Sequence, residues 1–140
     1  VTDQIRLPEI SLYASAVSAH PAVRAHLLEM QRKLARENNV VMDGRDIGTV
    51  VLPDATVKIF LTASVEERAM RRFRELEQRG TPESHEKVLE EMRQRDYNDS
   101  HRAAAPLRQA EDAVLLDTTE LDFDGSRQAL LKIIRERTAQ

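Results

Sequence analysis

Cysteine is absent from the 140 residues. Its absence excludes disulfide staples, thiolate zinc sites and cysteine nucleophiles together. Histidine is sparse and scattered, and His20, His26, His85 and His101 form no metal-ligand cluster. No apolar run approaches the roughly 18 residues a membrane helix needs. The longest stretches, such as residues 57–63 (VKIFLTA), still contain Lys or Thr. Lysine is scarce as well, and none of Lys33, Lys58, Lys87 and Lys132 follows a glycine. The phosphate cradle G-x-x-x-x-G-K-S/T is therefore missing, and Gly44 and Gly48 are too closely spaced to replace it.

What is present is the composition of one globular domain: 41% hydrophobic and 32% charged residues. The net charge of −3 argues against a general nucleic-acid binder. Of the 21 basic residues 17 are Arg, whose forks suit carboxylates and phosphates. A GC-rich genome produces the same bias, and that bland reading stands slightly ahead. The chain begins with Val1 rather than Met and no signal-peptide pattern follows, so processing or fragmentation is expected.

No linker, low-complexity tract or internal repeat interrupts the chain. Pro8 and Pro21 sit where helices can begin. After Pro21, Val23, Leu27, Met30 and Leu34 form one apolar stripe of a helix ending near Asn38 and Asn39. Residues 40–42 (VVM) predict a buried strand closing on Asp43 and Gly44, and residues 56–62 predict a second strand. Ser64 caps a helix, with Glu67 completing a capping box. Residues 80–82 (GTP) break it, and a charged helix runs from about Glu83 to His101. Residues 113–116 predict a third buried strand, stopped by Asp117, and a last helix buries Leu130, Ile133 and Ile134. Strands alternating with helices imply a parallel α/β architecture. Ligands in such sheets bind beyond the carboxyl ends of the strands, where Asp43 and Asp117 are expected.

Three segments carry possible chemistry. Residues 43–50 (DGRDIGTV) place two carboxylates around one guanidinium at a strand's end. Alone, this is as well read as a turn with an internal salt bridge, but its position favours a ligand. In residues 95–102 (RDYNDSHR), Arg95, Asp99 and Arg102 share a helical face. A solvated ion-pair ladder is the commoner meaning of such a face, though two arginines around one aspartate also suit a sugar-phosphate. In residues 66–72 (EERAMRR), Arg68, Arg71 and Arg72 share a face and repel one another. Phosphate and neighbouring Glu relieve that repulsion equally well. Residues 66–102 contain nine basic and ten acidic side chains, so the stretch is no basic arm.

Together these strings resemble the bacterial cytidylate kinases, which are P-loop nucleoside monophosphate kinases. The resemblance runs through residues 15–24 (SAVSAHPAVR), 43–53 (DGRDIGTVVLP), 57–61 (VKIFL), 66–72 (EERAMRR), 95–107 (RDYNDSHRAAAPL) and 115–118 (LLDT). It covers essentially the whole chain. The family's front portion, with its P-loop and first two strands, has no counterpart, and residues 1–6 resemble the tail of a small insert found in bacterial members.

The resemblance implies an α/β fold with a P-loop-NTPase-like parallel sheet ordered 2-3-1-4-5, incomplete without its N-terminal strands. Residues 40–43, 56–62 and 113–117 would be strands 3, 4 and 5. The implied layout is 1–39 insert end and base-binding helices, 40–67 core strands, 68–83 a mobile lid and 84–140 core. The lid, charge-rich and poor in large apolar residues, is expected to have little to bury. Ser15, Arg24 and Asp46 are implied to read cytosine, Arg45 and Arg102 to hold the monophosphate, and Arg95 and Asp99 the sugar hydroxyls. Arg71 and Arg72 would neutralise the transferring phosphoryl group, with Asp43 an outer carboxylate near magnesium and no direct metal ligand in this chain. The implied activity is phosphorylation of CMP or dCMP by ATP with Mg2+ in the cytoplasm, without nucleic-acid or membrane partners. The isolated chain is expected to be inactive without the missing N-terminal segment. The alternatives are a UMP/CMP-type kinase and a non-catalytic nucleotide-binding remnant.

Overall fold

The computed structural model describes residues 8–18 and 20–139, so residues 1–6, compared above with an insert, lie outside the described part. The chain divides into two compact units, Val1–Asp43 and Gly44–Gln140.

The first unit carries α1 (Pro8–Ser18) and α2 (Pro21–Glu37), which pack on each other. Pro21 opens α2, where its missing N–H and fixed φ cost nothing. Asn38 ends it, its side-chain amide donating to the Leu34 carbonyl at 3.1 Å. The expected apolar stripe is on the helix, but nothing described covers it fully: Met30 is 53% and Leu34 50% exposed.

The expected strand at residues 40–42 is not formed. Val41 is 99% exposed, and the stretch joins no ladder among the described residues. An extended apolar run becomes a strand only when a neighbour takes up its N–H and C=O groups. Asp43 therefore follows no strand, contrary to the expectation for it.

In the second unit, β1 (Ile59–Thr62) and β2 (Val114–Asp117) form a parallel pair with Phe60 opposite Leu115 and Leu61 opposite Leu116. β1 is shorter than the expected 56–62. Its ladder begins where the Val114 N–H donates to the Lys58 carbonyl at 2.9 Å, and it closes where Thr118 N–H donates to Thr62 at 2.8 Å. Parallel strands require a long crossover, and here α3 (Val65–Gln78) and α4 (His85–His101) supply it. Ser64 caps α3 by accepting from the Glu67 N–H at 3.2 Å. The return half of the expected capping box is replaced: the Ser64 N–H donates to Thr119 Oγ1 at 2.8 Å, while Glu67 accepts from Arg71. Gly80, with φ of 70°, turns the chain between the helices.

The main core cluster lies between these helices: Ala69, Leu76 and Val88 are buried, with Leu89 and Met92 packed against them. The helical part of residues 68–83 thus has more to bury than its sequence suggested. α5 (Phe123–Thr138) is capped by Asp122, which accepts from the Gly125 N–H at 2.7 Å. Leu130, Ile133 and Ile134 are half-buried rather than buried, because α5 packs mainly on β2 and meets no second layer among the described residues. No described helix is long and apolar enough to cross a membrane.

Candidate functional site

The carboxyl ends of β1 and β2 are tied by hydroxyls. Thr118, 4% exposed, donates its Oγ1 proton to the Thr62 carbonyl at 3.0 Å. Thr119 donates from Oγ1 to Asp117 Oδ1 at 2.6 Å, and its backbone N–H donates to the same oxygen at 2.8 Å. These two bonds hold the Asp117 carboxyl below its ordinary pKa, since both favour the charged form. Arg71 reaches this corner from α3. Its Nη2 donates to the carbonyls of Thr118 at 2.7 Å and Leu121 at 3.1 Å, and its Nε to Glu67 at 2.9 Å.

A second corner is built from residues 44–51 and the end of α4. After Gly44 the chain bends and enters a π-helical turn (Ile47–Val51), in which Val50 and Val51 donate to the Asp46 carbonyl and Leu52 to Ile47. Such turns are rare and concentrate at functional sites. Gly48 lies on the stem of Lys58, where a Cβ would stand 3.3 Å from Lys58 Cδ. The Lys58 ammonium, whose side chain is 8% exposed, donates to the Pro53 carbonyl and to Asp112 at 2.7 Å. That bond lowers the Asp112 pKa.

Five of the expected substrate-binding side chains meet one another across this corner. Arg45 Nε donates to Asp99 Oδ2 at 2.9 Å, and Arg95 Nε lies 4.0 Å from the same oxygen. Arg102 Nη2 is 3.9 Å from Asp46 Oδ1. The Asp46 and Asp99 side chains are only 14% and 17% exposed, so each carboxylate faces an arginine in a partly dehydrated setting. Arg102 ends α4 with its N–H on the Asn98 carbonyl at 3.0 Å, and its Nε donates to the Ala105 carbonyl at 2.6 Å. Three guanidinium groups and two carboxylates can thus exchange partners with a phosphate and with hydroxyls, because Arg forks accept either oxyanion.

The other expected residues lie elsewhere. Ser15 is on α1, its side chain outside the described part, and Arg24 is half-buried on α2 in the first unit. Asp43 is exposed at the end of that unit. The α3 arginines have carboxylate partners. Arg68 forks onto Asp96 at 3.0 and 2.6 Å and Arg72 pairs with Glu75 at 2.8 Å, so the repulsion along that face is relieved within the chain. Sequence reasoning assigned no role to Asp96 or Ala105. Asp96 had a signal, since an acidic residue beside Arg95 stands on the neighbouring face of the helix. Ala105 had none, because its contribution is a carbonyl.

The sequence profile described as cytidylate kinase matches residues 1–136. A cytidylate kinase of Caldicellulosiruptor bescii is 52% identical over 133 residues, 95% of this chain and 59% of that protein. One of an Exiguobacterium species is 53% identical over 136 residues, covering 97% and 61%. One of Carboxydothermus hydrogenoformans is 54% identical over 134 residues, covering 96% and 60%. The chain spans about three-fifths of the length of these curated relatives.

Proposed function

From the premise that this chain belongs to the cytidylate kinase family, we propose that it supplies the acceptor-nucleotide half of an enzyme transferring the γ-phosphoryl of ATP to CMP or dCMP. The observation that carries the reading is the corner where Arg45, Asp46, Arg95, Asp99 and Arg102 converge from segments about fifty residues apart.

In this reading a nucleoside monophosphate takes over the partners that the side chains now give one another. Arg45 turns from Asp99 to phosphate oxygens, and Arg102 directs its Nη2 to the same group. Asp99, released from Arg45, accepts from a sugar hydroxyl beside Arg95. Asp46 accepts from the exocyclic amine of cytosine, with Arg24 and Ser15 as donors to its ring acceptors. Uracil presents an acceptor where cytosine presents that amine, and a carboxylate at that point rejects it.

Phosphoryl transfer asks the protein for positioning and charge rather than covalent chemistry. Arg71 and Arg72, in the proposed lid of residues 68–83, would leave their present partners to neutralise the transferring group. The remaining layout is 1–39 for the insert's end and the base-binding helices, 40–67 for core strands and 84–140 for the rest of the core. Residues 40–43 would pair as a strand, and β1 gain a neighbour, once further strands of a longer polypeptide stand beside them in the order 2-3-1-4-5. The reaction is placed in the cytoplasm, with no nucleic acid or membrane as partner.

ATP brings magnesium in this chemistry. Among the described residues no three His, Asp or Glu side chains converge to hold an ion. Magnesium in such sites is held by one or two carboxylates and the substrate's own phosphates, and Asp43 would stand near it as an outer carboxylate rather than a direct ligand. The lack of G-x-x-x-x-G-K in the sequence favours one competing reading, a nucleotide-binding piece without catalysis.

The test joins this chain to the N-terminal portion of a curated relative and measures CMP and UMP phosphorylation. Asp46→Ala should lose about 1–3 kcal/mol of discrimination for CMP over UMP. Arg45→Ala should damage kcat/KM far more than Tm. An unchanged CMP/UMP ratio removes Asp46 from base reading. Binding of CMP without turnover in the joined protein favours the non-catalytic alternative.

A further inference from the structure

Among the described residues Ala105 alone has a positive φ without being glycine, at 50°. The left-handed region is costly for a residue with a Cβ, and a following proline, here Pro106, further restricts the backbone before it. Strain of this kind persists only where surrounding contacts impose it. Two such contacts flank it: the Arg102 N–H closes α4 on Asn98, and the Leu107 N–H reaches back to the Asp99 carbonyl at 2.8 Å. Residues 102–107 are thereby strapped to the last turn of the helix, and the strained residue turns its carbonyl toward Arg102.

The consequence falls on one guanidinium. Arg102 Nε donates to the Ala105 carbonyl at 2.6 Å, a short charge-assisted bond. At the other end of the same plane, Nη2 is buried and has no hydrogen-bond partner among the described residues, since Asp46 stands 3.9 Å away, beyond hydrogen-bond reach. A planar fork tethered at Nε has its remaining donors fixed in direction. A buried donor with nothing to donate to is costly and marks a place where an acceptor belongs.

We propose that Ala105 is a positioning residue for the acceptor phosphate: its left-handed backbone aims a carbonyl that orients Arg102, leaving Nη2 directed at the incoming oxygen. This rests on the reading of Arg102 as a monophosphate ligand. A β-branched side chain does not tolerate φ above zero, whereas glycine does so freely. Ala105→Val therefore turns the carbonyl away, and Ala105→Gly retains it.

The experiment uses the chain joined to the N-terminal portion of a relative, with steady-state kinetics for both substrates and NMR of the Arg102 Nε–H. Ala105→Val should raise the KM for CMP about tenfold, the worth of one charge-assisted hydrogen bond, with the KM for ATP unchanged. Ala105→Gly should stay near the unsubstituted protein. A fall in Tm with both KM values moving together would assign Ala105 a merely structural role and overturn the proposal. Solvent exchange of the Arg102 Nε–H as fast as that of exposed Arg108 would overturn it without any variant. Arg102→Ala separates the layers. If it leaves the KM for CMP unchanged, the phosphate reading of Arg102 falls and the proposal with it. If it raises that KM while Ala105→Val does not, only the positioning role of Ala105 is lost.

Discussion

Removing Arg68 should cost more stability than removing Arg72, although both stand on α3 one turn apart. Arg68 reaches a different helix: its Nη1 and Nη2 fork onto Asp96 of α4 at 3.0 and 2.6 Å, and its Nε donates to the Ala63 carbonyl at 2.9 Å. Arg72 pairs with Glu75 on its own helix at 2.8 Å. Hydrogen bonds to charged groups contribute roughly 1.5–3 kcal/mol in protected settings. The Arg68 and Asp96 side chains are 34% and 39% exposed, so solvent screening reduces the pair to about 1–2 kcal/mol. The Arg72–Glu75 pair is a local helix contact worth about 0.3–0.5 kcal/mol. A double-mutant cycle of Arg68→Ala and Asp96→Ala, read from urea midpoints in the joined protein, should give a coupling of about 1–2 kcal/mol. In kinetics the order should reverse, with Arg72→Ala lowering kcat more than Arg68→Ala. A coupling below about 0.3 kcal/mol, the level at which distant sites add, would refute the claim that Arg68 staples α3 to α4.

Three further outcomes are expected, the first two in the joined protein. Asp112 and Asp117 titrate below the ordinary carboxylate value of 3.8 because of Lys58 and Thr119 respectively; a depressed folded pKa adds stability that is complete above the unfolded value and is lost as pH falls through the folded one. Acid unfolding should therefore begin as pH drops below the ordinary carboxylate range, and Asp112→Asn should flatten the slope there; an unchanged slope would show that the Lys58 bond does not couple to folding. Gly80→Ala should destabilise by about 1 kcal/mol from backbone strain alone, since a Cβ there meets nothing within 4 Å, and a neutral Tm would contradict the left-handed turn. The 140-residue chain by itself should neither unfold cooperatively nor phosphorylate CMP. Among the described residues, two strands with open edges and an uncovered Val41 leave too little buried area against a folding margin of about 5–15 kcal/mol, and ATP-dependent CDP formation by this chain would sink that expectation.

Much of the local structure was legible in the residue order. The cap at Ser64, the break at Gly80, and the strands around Phe60 and Leu115 depend on contacts within a few residues, which sequence spacing records directly. The run at residues 40–42 forms no strand here for the opposite reason: its apolar pattern is a strand's, but a strand exists only with a neighbour, and none is supplied within the described chain. The burial expected of Leu130, Ile133 and Ile134 failed likewise, since periodicity states which face is apolar and not what covers it.

Of the candidate site, the sequence by itself determined the chemical inventory: arginines and carboxylates at residues 43–50 and 95–102, without a lysine cradle. Only the tertiary structure decided which of them face one another. Arg45 meets Asp99 and Arg68 meets Asp96 across 54 and 28 residues of chain, and a charge pattern read along one helix cannot choose among such partners. The Ala105 carbonyl was beyond reading for a more basic reason. Its direction is set by φ and ψ under the constraint of surrounding contacts, and no side chain at residue 105 announces it.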